Sequence, residues 1–310
     1  MAKKTRNTLL LAGIQTVAGT PQALTGANAM LIRNPTLTPL NVETVARDVI
    51  RPYFGNSEQL AVTANGSVEF EVEIAGAGDA GTVPGYGPLL RGCAFSETVL
   101  ADTSVTYQPV TNNIELVTLH VYMDGVFHRI SDARGTVSFD ITAKGIPVMK
   151  FKFEGAYNPI QDQVAPTVGV DFSTFKQPLA ANKRNTPTWA LHAYTGCLQS
   201  LTLDVANTLV WRSLIGCEGE EITDRKPAGK VVLELPAVAA FDWPNKVLDA
   251  ITGPLTITHG RVSGNIVKFD APAAQLTKPT YSDSDGIIML NADLNIVPVA
   301  GNDEMTITVM

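Results

Sequence analysis

Residues 67–74 read SVEFEVEI. Val68, Phe70, Val72 and Ile74 share one parity and Glu69, Glu71 and Glu73 the other. A strict two-residue period of this kind is satisfied by a β-strand with one face on a core and the other in water. The same period recurs in LHVYM (119–123), GTVSFDITA (135–143), MKFKFEG (149–155), KVVLEL (230–235), GPLTITH (253–259) and GIIMLNADLNIV (286–297), with Gly, Pro, Asn and Asp clusters between them. The chain is therefore read as mainly β. Only two short helices are expected, in YGPLLRGCAF (86–95) and WPNKVLDAI (243–251), where Pro244 suits a first helical turn.

Those two helices fall at comparable places in two similar halves. At an offset of 161, residues 37–55 fall on residues 198–216, so that Leu37 meets Leu198 and Arg51 meets Arg212. With the offset widened to 163, VEFEV falls on VVLEL and Glu71 meets Glu234. An internal duplication is the expectation. It divides the chain into an arm (1–30), a first β domain (31–160), a linker (161–187) and a second β domain (188–310), each domain a β-sandwich or β-barrel with a short flanking helix. The arm is rich in Ala, Thr and Gly and too apolar for a free tail. It needs a surface to lie on, its own or a neighbour's.

The 310 residues are 45% hydrophobic and 17% charged, with a net charge of −7. A chain of this size can bury a sizeable core, and its charge offers no global attraction to nucleic acid or an anionic membrane. The basic clusters KKTR (3–6) and NKRN (182–185) are not interleaved with aromatics as a nucleic-acid reader requires. LLLAGI (9–14) follows basic residues but is cut short by Gln15 and Thr16, so a cytoplasmically made protein without a signal peptide is expected. No run approaches transmembrane length. Cys93, Cys197 and Cys217 form no CxxC pair and read as reduced thiols.

Chemistry finds little support. The four histidines lack metal-ligand spacing, and in LHVYMDGVFHR (119–129) Asp124-Gly125 reads as a two-residue hairpin turn rather than part of a metal site. GAGDAGTVPGYG (76–87) lacks the GK[ST] ending of a phosphate cradle. CEGEEITD (217–224) reads as a solvated hairpin tip. No catalytic residue, metal site or cofactor is assigned, and an enzyme is not expected.

The segment from LLLAGI through IRNP (32–35), LTPL (37–40), RDVIRPYFG (47–55) and the acidic strand to GPLLRGCAF (87–95) resembles the major tail tube proteins of long-tailed, non-contractile (siphovirus-type) bacteriophages. The resemblance covers the first half well and reaches the second through the repeat. It implies a structural virion protein whose rings stack into a hollow tube around a tape-measure protein and later conduct DNA. Two tube-like halves per chain imply a trimer with a pseudo-hexameric ring, and the partners implied are further copies, the tape-measure protein, terminator and distal tail proteins, and transient non-specific DNA, with no membrane. On this reading Glu69, Glu71, Glu73 and Glu234 face the lumen. The alternative for the glutamates is pairing with Lys150 and Lys152 of a neighbouring strand. Ring-to-ring contacts are expected from the arm (Leu9, Leu10, Leu11, Ile14) and from the loops 51–67 (Tyr53, Phe54, Leu60) and 212–230 (Glu218, Glu220, Glu221). Deleting residues 2–20 is then expected to leave a folded subunit that cannot polymerise. Two other readings share the β pattern: a tandem β-sandwich binding or decoration module of a virion, and the inner tube of a contractile tail.

Overall fold

The computed structural model describes residues 2–310. In chain order the elements are β1 (Thr8–Gln15), β2 (Ala29–Met30), β3 (Arg33–Ala46), β4 (Gln59–Glu73), α1 (Gly87–Gly92), β5 (Phe95–Leu100), β6 (Ser104–Pro109), β7 (Leu116–Met123), β8 (Val126–Thr142), β9 (Val148–Tyr157) and β10 (Gln161–Asp162). They continue as β11 (Thr188–Leu191), β12 (Leu198–Asp204), β13 (Asn207–Leu214), β14 (Cys217–Arg225), β15 (Ala228–Glu234), α2 (Trp243–Leu248), β16 (Thr252–His259), β17 (Val267–Ser284), β18 (Ile287–Ile296) and β19 (Thr306–Val309). The fold is mainly β and its pairings are antiparallel, as the alternation requires.

Two sets of six strands run in the same order. The first is β3-β4-β9-β8-β7-β1. The second is β12-β15-β18-β17-β16-β11. They join where β12 pairs with the end of β8, and again where β19 bridges β17 and β6. One buried cluster draws on both sets; Phe139 and Phe269 meet across it at 4.9 Å between ring centres.

Strand pairing also sets the two halves in a different register from the one the sequence comparison gives. Leu37 faces Val68 as Leu201 faces Val231, which sets Leu37 on Leu201 rather than on Leu198. Bulges in β3 and β12 absorb the difference, since each extra residue shifts the alternation beyond it.

The expected turn and helices form. Asp124 and Gly125 both take positive φ, 48° and 87°, between β7 and β8, the geometry a two-residue hairpin favours. Asp242 caps α2 by accepting from the Asn245 N–H, with Pro244 in the first turn. The segment read as an arm finds a surface within its own chain. β1 adds to the first set along the whole of β7, and Leu10 and Leu11 are fully buried on its two faces. Leu10 joins the main core, while Leu11 packs with Ala29, Tyr122 and Phe127. In 161–187, read as the linker, Gln161 and Asp162 pair with β8, Ala181 is buried, and the Leu179 carbonyl lies 3.0 Å from His259 Nε2.

Candidate assembly surfaces

Glu69, Glu71 and Glu73 stand on the face of β4 opposite the Val68, Phe70 and Val72 core positions. Across to β9, Glu69 is opposite Lys152 and Glu71 opposite Lys150. The pairing expected from MKFKFEG is thus present in register, but the lysines are shared. Lys150 Nζ lies 3.1 Å from Asp140, and Lys152 Nζ 2.7 Å from Glu154. The hydrogen bond to Glu154 is the main cause raising Lys152 above the usual lysine range, with Glu69 adding to it. Glu73 meets Arg33 at 3.4 Å, and Asn34 donates to Glu71 at 2.9 Å.

This polar face does not stop at the first set. Asp140 of β8 is opposite Thr202 of β12, and Ser138 is opposite Asp204. Beyond β12 the same parity continues through Lys230, Val232 and Glu234 of β15 to Asp293 and Asn291 of β18. One broad face, acidic in excess and interrupted by Lys150, Lys152 and Lys230, therefore crosses both sets. Glu234 belongs to it, with the three glutamates of β4.

Two hairpins project from these sheets. Beyond Ala46 the chain turns back at residues 47–58, where Ile50 and Phe54 are fully exposed and Tyr53 largely so. Ile215 is fully exposed at the β13–β14 turn, beside Gly216 with a φ of 99°. Tyr53, Phe54, Leu60 and Glu218 are thus free surface within one chain, whereas Leu10 and Leu11 are enclosed and Leu9 and Ile14 half-buried.

Glu220 departs most from its reading as part of a solvated tip. It is 1% exposed, and neither carboxylate oxygen has a hydrogen-bond partner. Burial, reinforced by Glu154, pushes its pKa up to about 7 against the pull of Arg134 and Lys152. The cause is tertiary: β13–β14 lies against β8 and β9, where Arg134 Nη1 donates to the Glu220 carbonyl and pairs with Glu221 at 2.6 Å. At the root of this hairpin Asn207 Nδ2 donates to the carbonyls of Cys93 and Gly135, at 2.9 and 3.0 Å.

Reading by sequence missed Asn207, Arg134 and the apolar positions Leu40 and Val42. On β12 the residues at the latter pair's places, Leu203 and Val205, are 2% and 1% exposed, yet Leu40 is 45% exposed and Val42 36%. The apolar character of Leu40 and Val42 was readable in the sequence, whereas the unpaired edge of their strand was not.

Among the described residues no helix is long and apolar enough to cross a membrane, and no group of His, Cys, Asp and Glu has the geometry of a metal site. A family model described as "Phage tail tube protein" matches residues 5–309. No curated protein matches the chain.

Proposed function

Because the chain belongs to the phage tail tube protein family, we propose that copies of it form rings that stack into the hollow tube of a siphovirus-type tail. The tube encloses the tape-measure protein and conducts DNA at ejection. The role is structural, and its place is the virion. The observation that carries the ring is the outer edge of β3, fourteen residues long and paired among the described residues only on its β4 side. Exposed strand edges with apolar side chains invite another chain, and a contact between two unlike surfaces closes into a ring when its rotation permits. With two similar strand sets per chain, three copies supply a pseudo-sixfold ring.

The polar face through Glu69, Glu71, Glu73 and Glu234 lines the lumen on this reading. Its acidic excess repels phosphates, so DNA slides rather than sticks. Phe54 and Ile215, at the exposed hairpin tips, meet the next ring, with Tyr53 beside them. Negative-stain microscopy of the purified protein tests the proposal: tubes whose end-on averages carry threefold symmetry with six similar lobes are expected. Particles that stay monomeric at all concentrations and salt conditions would overturn it.

A further inference from the structure

The two strand sets differ in what covers them. In the first, β12 runs along the end of β8 from Ser200 opposite Thr142 to Asp204 opposite Ser138. The β13–β14 hairpin closes over β8 and β9 beside it, pinned by Arg134. Beneath lies α1, with Leu89 and Leu90 buried. In the second set, among the described residues, no strand takes the place of β12 and no hairpin that of β13–β14. β17 pairs with β16 as far as Gln275, and from Thr280 to Ser284 it pairs, among the described residues, only with β18. α2 has no buried residue, Leu248 is 80% exposed, and Tyr281 and Ile288 are 60% and 55% exposed.

The missing cover has a counterpart elsewhere in the same chain. β3 stands to β4 as β12 stands to β15, yet its outer edge is open and Leu40 and Val42 are bare. One set therefore lacks a cover and the other carries a cover with nothing beneath it.

We infer that the β17–β18 hairpin and α2 form the seat for β3 and the root of the β3–β4 hairpin of a second copy, in the register that β12 adopts on β8. Pairing fixes the correspondence. Val137 faces Phe151 as Tyr281 faces Leu290, and Phe151 faces Phe70 as Leu290 faces Leu233. Transferring the β12–β8 register sets Asn41 opposite Ser282, Thr38 opposite Ser284, Leu40 opposite Asp283 and Val42 at Tyr281. Polar residues then meet on the face shared with Glu69, while Val42 turns toward the side bearing Trp243 and Leu248 and loses its exposure to water, which is favourable in proportion to the apolar area removed. At the place of Arg134 stands Lys278, whose Nζ lies 3.7 Å from Asp293. The fold within one chain is thus the template for the contact between chains, and the polar face continues unbroken from copy to copy.

This inference rests on the ring reading and adds its register. The test is cysteine cross-linking in a Cys197→Ser, Cys217→Ser background. Asn41→Cys combined with Ser282→Cys is expected to give, on oxidation, a ladder of covalent multimers ending at one closed species; either substitution alone gives none. Ser138→Cys with Asp204→Cys, its counterpart within the chain, is expected to close without any gain in mass and so controls for oxidation. Rings or tubes visible by microscopy without the ladder overturn the register while leaving the tube reading intact. Loss of every assembly from the parent chain overturns both.

Discussion

Glu220 shows how far one residue's chemistry depends on its neighbours. An ordinary glutamate in an EGEE turn ionises near 4.5, but here burial holds the proton on to about pH 7. The unfolded chain then binds fewer protons than the folded chain between those values, so unfolding becomes easier as pH rises through the window. The full effect is on the order of 3 kcal/mol, from roughly 1.4 kcal/mol per pH unit of displacement. Glu220→Gln is expected to remove that slope: melting temperatures should match the parent near pH 4.5 and exceed it at pH 8. A parallel shift across the whole range would show that the carboxyl does not titrate in this window. Glu69, Glu71 and Glu73 are the opposite case, since alternation alone placed them on the water side and the structure agrees. Asn207 was invisible to any pattern, because the two carbonyls it satisfies belong to residues 93 and 135.

At the scale of elements, β1 decides the fate of the N-terminal segment. Its eight residues pair along β7 and bury Leu10 and Leu11, and burying a leucine contributes about 1.5–3 kcal/mol. Its removal also leaves β7, with Val117, Leu119 and Val121 at its core, as a bare edge. Deleting residues 2–20 is therefore expected to abolish soluble folded protein or lower its melting temperature by well over ten degrees, rather than to give a folded subunit that merely fails to polymerise; circular dichroism melts decide between them. The apolar run LLLAGI correctly showed that the segment must lie on something. It held no sign of which surface, because β7 follows about a hundred residues later. The hairpin turn at Asp124-Gly125 and the start of α2 at Pro244 were legible because both are set by neighbours in the chain.

At the scale of the molecule, two sets of strands in one order are joined edge to edge, and a polar face with an acidic excess runs across both. The glutamates of β4 face lysines, but Lys150 and Lys152 also have Asp140 and Glu154 close by. Changing Glu69, Glu71 and Glu73 together to Gln therefore strands neither lysine, and exposed ion pairs contribute about 0–1 kcal/mol each. The triple variant is expected to fold and form tubes normally while slowing DNA ejection, measured as dye uptake into released DNA. Failure to assemble would assign the glutamates to holding β4 against β9 instead.

The sequence alone determined the strand-rich class, the faces of its alternating strands, the two helices, and the likeness between its halves. These follow from period, turn chemistry and neighbour effects, which act over a few residues and repeat wherever the pattern repeats. Only the tertiary structure decided that β1 completes a sheet, that Glu220 is enclosed, and that Leu203 and Val205 are covered while Leu40 and Val42 are bare. The two hairpins begin from similar residues, and what separates them is which edge of a sheet each one meets. That is a matter of long-range packing, which no local stretch encodes.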